Sequence, residues 1–177
     1  MNFDPDKILD IIKEIDANAL PVVHRDQLSV TVSKENTLKV LSALKSNSYS
    51  ACDMLIDITA IDWLRAEKRY ELVYILYSNK NKEYVRIKTP VEESNLRAES
   101  ACSVYESANW YERETYDMYG IKFDNHPFLR RFYMTEDFRD PITGEALHPL
   151  RKDFPLQGVP DSLPFPPYPE KYGEIQD

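Results

Sequence analysis

Glycine is scarce in this chain: Gly120, Gly144, Gly158 and Gly173 are the only four in 177 residues, and no two stand close together. A phosphate cradle of the P-loop kind, or a dinucleotide fingerprint, needs clustered glycines so that backbone N–H groups can approach phosphate. Their scatter excludes an ATP or NAD site of either kind. Cysteine is scarcer still. Cys52 and Cys102 form no CxxC pair, and His24, His126 and His148 stand singly, so neither zinc nor iron–sulfur ligation has local support. Two well-separated thiols without an export signal fit a reducing compartment, with both thiols inert. The N-terminus carries Asp4, Asp6 and Lys7 where a signal peptide needs a basic start and an apolar block. The longest apolar run, residues 72–77, falls far short of the roughly 18 residues of a membrane span. Basic excess is lacking too. With 22 Lys and Arg against 30 Asp and Glu, a net charge of -8 argues against nucleic-acid binding, which needs a basic face for phosphate. No strained turn around a Ser or Cys supports a nucleophilic Ser, His, Asp set.

What the chain does have is a well-patterned first two-thirds. Its length suits one domain with a real core. Asp4 before Pro5 is a helix start, and Ile8, Leu9, Ile11, Ile12 and Ile15 recur at helical spacing, which predicts a helix ending near Ala17. Pro21 breaks the pattern, after which Leu28, Val30 and Val32 alternate with polar neighbours as in a half-buried strand. Ser33 is placed to cap a helix over residues 34–46, whose Leu38, Leu41 and Leu44 form a stripe. Residues 54–63 and 69–77 are apolar on both faces and read as central strands. After a short hairpin loop, residues 84–88 point Val85 and Ile87 inward and Arg86 and Lys88 outward, and Pro90 closes the sheet region. The order helix, strand, helix, strand, strand, strand predicts an α+β fold, a two-layer domain with a mixed β-sheet and helices packed on it.

Residues 110–121, WYERETYDMYGI, hold the densest mixture of charge and aromatic bulk. On a helix, Trp110, Arg113, Glu114 and Asp117 share one face and Glu112, Thr115, Tyr116 and Tyr119 the other, so neither face is apolar. A helix with carboxylates and rings on both sides suggests burial between two bodies, the alternative being a solvated amphipathic helix with surface ion pairs. Arg113 and Asp117 stand four apart, the spacing of an ion pair, and Gly120 supplies the left-handed stop. Ser107 is a candidate N-cap. After Gly120 the composition changes: nine of the twelve prolines and all four glycines lie there or beyond. Regular structure is not expected in that third, yet Phe123, Phe128, Leu129, Phe132, Tyr133, Phe138, Leu147, Leu150, Phe154 and Leu156 are too apolar for a solvated tail. A Pro-rich segment with aromatic anchors fits a chain lying along a partner's surface; the alternative is an irregular extension folded back on its own domain. The expected division is residues 1–121 as an α+β domain and 122–177 as an extended, partner-docking tail.

The charges of the tail gather in blocks: His126–Pro127, Arg130–Arg131, Arg139, and HPLRKDFPLQG over residues 148–158. Arg151, Lys152 and Asp153 lie between Pro149 and Pro155, which fix the local backbone. Glu112, Glu114 and Asp117 are candidate partners for Arg151 and Lys152. With those cations available, an ion-pair network is favoured over acid–base catalysis by the same carboxylates, the reading a free-standing enzyme would require.

WYERETYDMYGI, then HP, then RR, then PLRKDFPL resembles, in order, the signature of the C subunit of the proton-pumping NADH:quinone oxidoreductase, respiratory complex I. The resemblance is specific over residues 110–158. It departs at residues 139–149, RDPITGEALHP, where the family runs more briefly to the HPLRKDFP block. What the resemblance implies is a hydrophilic, non-catalytic subunit without cofactors of its own, docked mainly against the D subunit, whose quinone pocket lies by the terminal iron–sulfur cluster of the B subunit. FMN, iron–sulfur clusters and quinone belong to the partner subunits, and the location is the cytoplasmic side of the inner membrane, peripheral. The interface and signature residues it implies are Trp110, Glu112, Arg113, Glu114, Asp117, Gly120, His126, Pro127, Arg130, Arg131, His148, Pro149, Arg151, Lys152, Asp153 and Pro155. The alternative is the equivalent subunit of a membrane-bound energy-converting hydrogenase, or of a complex I relative without the NADH module.

Overall fold

A computed structural model describes residues 4–64 and 67–154. Helix α1 (Pro5–Lys13) starts as its sequence predicts: the Asp4 carboxylate accepts from Asp6 N, and Pro5 occupies the first turn, where its missing N–H costs nothing. It stops at Lys13, short of Ala17. Asp16 is the reason, because its buried carboxylate turns away to accept from Ser33 N and Ser33 Oγ, both at 2.6 Å, and from Asn18 N. Ser33 is thereby diverted from capping, and the segment it was expected to cap opens with a 3-10 turn before α2 (Thr37–Ser46).

Strand β1 (Leu20–His24) departs from the sequence expectation, since Pro21 reads as a break. It is an edge strand of a five-stranded sheet with order β1, β2 (Gln27–Thr31), β5 (Glu83–Val91), β4 (Tyr70–Ser78), β3 (Met54–Asp62), and an edge tolerates a residue with no N–H. β1 pairs antiparallel with β2 (Gln27–Thr31) across a two-residue turn in which Arg25 and Asp26 both have positive φ. β2 then pairs in parallel with β5 (Glu83–Val91), which makes the sheet mixed as expected. β5 runs past Pro90. Lys88 O accepts from Val32 N on the β2 side, so Pro90 N, two residues on, points to the same side beyond the end of β2, where no ladder bond is lost. β4 (Tyr70–Ser78) is central, antiparallel to both β5 and β3 (Met54–Asp62).

β3 is an edge strand, not a central one. It reads as two-sided because helix α3 (Ala108–Tyr119) lies along its open side: Thr115 Oγ1 donates to Ile58 O at 2.8 Å, and Ser107 Oγ, expected as an N-cap, donates to Leu55 O instead. An outer edge that would otherwise expose backbone carbonyls is covered. The core is formed by Ile8 and Ile12 of α1, by Val40, Leu41 and Leu44 of α2, and by the inward side chains of the sheet, with Tyr70 and Tyr74 the largest fully buried residues. Beyond Gly120 one short regular element appears among the described residues: β7 (Lys122–Asp124) pairs in parallel with β6 (Arg97–Glu99), and Phe123 joins the core. From there to Phe154 the chain runs without further helix or strand back over α3 and the end of β3.

Candidate functional site

The expectation that α3 is buried between two bodies holds, and the bodies are the sheet on one side and residues 126–154 on the other. Glu112, Arg113, Thr115 and Asp117 are all buried, while Trp110 stays 56% exposed. A helix can bury so many polar groups only if each is partnered.

Glu112 is fully buried against the turn that follows β6. Its carboxylate accepts from Ser100 Oγ and Ala101 N, each at 2.6 Å, and from Cys102 Sγ at 3.6 Å. Burial pushes its carboxyl up to about 7, against the downward pull of those donors. His126 Nε2 stands 4.0 Å away, but His126 Nδ1 accepts from Phe128 N, so Nε2 carries the proton and donates to Asn109 O. Burial holds His126 below its ordinary value. Cys102, Glu112 and His126 bring one ligand atom each within 4.8 Å of one another. Yet the nitrogen facing the others is a donor, and burial pushes the Cys102 thiol up to about 11. The set is a hydrogen-bonded cluster in which thiol and imidazole are both occupied as donors.

Arg113 does not pair with Asp117. Its guanidinium lies over the rings of Trp110 and Phe132, at 4.8 and 5.1 Å, and donates to Arg130 O and Arg131 O. Asp117 turns the other way. Its Oδ2 accepts from Phe132, Tyr133 and Met134 N at 3.0, 2.7 and 2.8 Å, and its Oδ1 faces Arg131 Nη1 at 3.3 Å. Arg131 in turn donates to Leu147 O. One helical carboxylate thus nucleates a turn made by the returning chain.

The second sequence block terminates the helix. The last carbonyls of a helix lack internal partners, and here residues some thirty positions away provide them. His148 Nδ1 donates to Asp117 O at 2.9 Å, Leu150 N to Met118 O at 3.2 Å, and Arg151 Nε to Tyr119 O at 2.6 Å. Cationic Arg151 at this end also meets the negative pole of the helix dipole. Burial, with Arg151 and Arg131 beside it, holds His148 below its ordinary value, so His148 donates as a neutral ring. Gly120 has φ of +81° and its N–H donates to Tyr116 O; a Cβ there would come within 2.7 Å of His148 Nε2.

Beyond this cap, Lys152 and Asp153 reach residues that the sequence did not single out. Lys152 N donates to Asp62 Oδ2 at 2.8 Å, and Asp153 pairs with Arg69 Nη2 at 2.8 Å. Asp62 and Arg69 are themselves joined by two hydrogen bonds, at 3.0 and 2.9 Å, and Arg69 also reaches Glu93. Burial alone would raise Asp62; the Arg69, Lys152 and Leu64 donors outweigh it and hold the carboxyl at about 2. The signal was present only as an acid and a base at the facing ends of two strands. Glu114 has a different environment, where burial and then nearby Asp57 raise its carboxyl, and it meets neither Arg151 nor Lys152. Arg130 lies over the ring of Phe128 at 4.5 Å, and Pro127 is exposed. Pro149 is half-buried beside His148, whereas Pro155 and the rest of the tail lie outside the described residues. The atypical loop makes a small closed turn: Asp140 N donates to Glu145 O, the Asp140 carboxylate accepts from Ile142 and Thr143 N, and Arg139 bridges Ala146.

Residues 30–160 match the family model described as "Respiratory-chain NADH dehydrogenase, 30 Kd subunit". The chain is 44% identical over 156 residues to the C subunit of the NADH-quinone oxidoreductase of Citrifermentans bemidjiense, covering 87% of this chain and 91% of that one. It is 49% identical to the subunit of the same name from Trichlorobacter lovleyi, over 73% and 75% of the two chains. Among solved structures, a trypsin-resistant fragment of Nqo5 shares the fold with a TM-score of 0.63 at 24% identity, covering 73% of this chain and all of that fragment. A chain of the membrane-bound sulfane sulfur reductase, an archaeal respiratory membrane complex, is similar with a TM-score of 0.64 at 27% identity over 85% of each chain. The two motif blocks that meet at the end of α3 both fall within the matched span, and the chain belongs to the 30 kDa subunit family of respiratory-chain NADH dehydrogenase, the family of the NADH-quinone oxidoreductase C subunit.

Proposed function

We propose that the chain is a non-catalytic, peripheral-arm subunit of an NADH:quinone oxidoreductase, and that it supports assembly of the quinone-reducing module by docking against its D and B subunits. The observation that carries this reading is the set of large apolar side chains left on the surface where residues 126–154 cross α3. Trp110, Phe128, Phe132, Tyr133 and Leu150 are 56, 57, 43, 56 and 52% exposed. Three of them form one ring cluster, with Trp110 to Phe132 at 5.2 Å and Phe132 to Tyr133 at 4.5 Å, braced by Arg113. Aromatic rings with arginine on a rigid support are the composition of an interface centre. The chemistry of the site is consistent with it: Glu112, Asp117 and Asp62 each accept hydrogen bonds from this chain's own donors. Flavin, iron–sulfur clusters and quinone are then held by partner subunits, with this chain on the cytoplasmic side of the membrane. No helix among the described residues is long and apolar enough to cross a bilayer.

The test is affinity purification of the tagged chain from its own cells. Recovery of the D and B subunits with NADH-module flavoproteins supports the proposal, and an Arg151→Ala variant should lower quinone-reductase activity in proportion to the amount of complex recovered. Normal complex with dead chemistry would overturn the non-catalytic role, as would substrate turnover by the isolated chain that Glu114→Gln abolishes. A second reading, a subunit of a related complex without an NADH module, is favoured by the likeness to the archaeal sulfane sulfur reductase chain over 85% of both lengths. Recovery of the partners without flavoprotein subunits would select it.

A further inference from the structure

We propose that Arg113 and Arg130 form a docking point for carboxylates, and that the surface over α3 receives an acidic segment of a partner subunit. The proposal rests on the assembly role above and names the chemistry of what docks there. Three arginines are buried among the described residues. Arg69 faces Asp62 at 2.9 Å and Arg131 faces Asp117 at 3.3 Å, whereas Arg113, 6% exposed, pairs with no carboxylate among the described residues. A guanidinium withdrawn from water ordinarily takes its counter-charge with it, because desolvating an unpaired charge is costly. Arg113 makes two hydrogen bonds, to Arg130 O at 3.4 Å and Arg131 O at 3.3 Å, and both are long. Its Nη1 makes none, yet it is not one of the sealed, unbonded atoms of the interior, so it opens to the surface.

Arg130 repeats the pattern outside. Its exposed guanidinium lies over the Phe128 ring at 4.5 Å and makes no hydrogen bond or ion pair among the described residues. The two cations are linked, since Arg113 donates to the backbone of residue 130, and around them stand the exposed rings of Trp110, Phe132 and Tyr133. Stacking on a ring holds a guanidinium plane in one orientation, so less freedom is lost when a carboxylate meets it side-on. The carboxylates of α3 nearest in sequence are turned elsewhere: Glu112 to Ser100 and Ala101, Asp117 to Arg131 and the backbone of residues 132–134. An anionic membrane is the poorer fit, because such surfaces hold clusters of about four to eight basic residues, and here two stand on a chain of net charge -8. Exposed rings around a desolvated arginine make an interface centre, and a partner's carboxylate completes it.

Arg130 carries the test because it is exposed, whereas replacing buried Arg113 disturbs the fold as well. Arg130→Lys, in the full-length chain purified with its complex, places an amine at the docking point, and a carbodiimide joins an amine to a carboxylate in contact with it. The expected result is a cross-link from position 130 to an aspartate or glutamate of another subunit, identified by peptide mass. Arg130→Glu should lower recovery of partner subunits about tenfold with little change in the melting temperature of the free chain, and Arg130→Lys should keep most of the recovery. An assembled complex in which the cross-link is absent, or runs only to carboxylates of this chain, overturns the proposal. Full recovery with Arg130→Glu overturns it too. Binding of the free chain to phosphatidylglycerol vesicles that Arg130→Glu abolishes, with no cross-link to another subunit, overturns it in favour of a membrane. If the wild-type chain recovers no partner at all, the assembly reading falls first and the proposal falls with it.

Discussion

Glu112 offers the sharpest test of how α3 is held, because it is a fully buried carboxyl with hydrogen-bond donors around it but no strong cation. Its folded-state value is raised by burial from 4.5 to about 7. The folded chain therefore binds this proton more tightly than the unfolded chain does. The stabilisation is complete below about 4.5, falls as pH rises toward 7, and is gone above it. A shift of that size corresponds to about 3 kcal/mol. Glu112→Gln replaces the carboxyl with a permanently neutral group of the same shape, whose oxygen can accept from Ala101 N and whose nitrogen can donate to Ser100 Oγ. Wild type and variant should have similar stability at pH 5. At pH 8 the variant should be more stable by about 3 kcal/mol, or roughly 6 to 12 °C in melting temperature for a chain of this size. His126 and His148, both held below their ordinary values, give wild type an opposite slope in part of the same window, since the unfolded chain then binds the extra protons. The measurement is accordingly the difference between the two proteins at each pH, by urea unfolding, in which those contributions cancel. A flat difference from pH 5 to 8 would refute the argument that burial outweighs the three donors.

Three further outcomes follow from the same junction. Asp117→Asn removes the anionic partner of buried Arg131 and weakens the acceptor shared by three N–H groups, and should cost about 3 kcal/mol in urea unfolding. Gly120→Ala forces a side chain into a left-handed backbone and against His148, and should cost more than about 1 kcal/mol while loosening the 148–151 cap, visible as faster amide exchange of Leu150. A cut after Ile121 strips Asp117 of its donors and Phe123 from the core and should cost about 3–5 kcal/mol or prevent folding.

The elements legible in the sequence are those whose burial is one-sided. α1, α2, β2 and β5 show their stripes because one face of each packs into the core and the other meets water. β1 left no such trace: all five of its residues are exposed, so there is no alternation to read, and Pro21 reads as a stop although an edge strand accommodates it. β3 misled in the opposite sense. Its open edge is covered by α3 through Thr115 and Ser107, so its sequence resembles that of a strand flanked by two others. Periodicity reports what covers a residue, not which element does the covering.

The site was legible as a pair of blocks but not as a set of bonds. Four-residue spacing paired Arg113 with Asp117, a rule that suits a solvated helix, where no stronger partner competes. In a buried helix the returning backbone competes and wins, because three N–H groups on one carboxylate oxygen satisfy donors that would otherwise be orphaned in the interior. The Arg113 guanidinium, released from Asp117, is then free to bond two carbonyls and lie over two rings. The same logic explains the distant block. Three carbonyls at the end of α3 need donors, Gly120 admits close approach, and His148, Leu150 and Arg151 fill that need together. A helix and its C-terminal cap separated by about thirty residues depend on one another, and neither is explicable alone. The dense charge of residues 110–121 therefore belongs to a junction: Glu112 ties the helix to the turn at residues 100–102, Asp117 to residues 131–134, and the last helix carbonyls to the HPLRKDF segment.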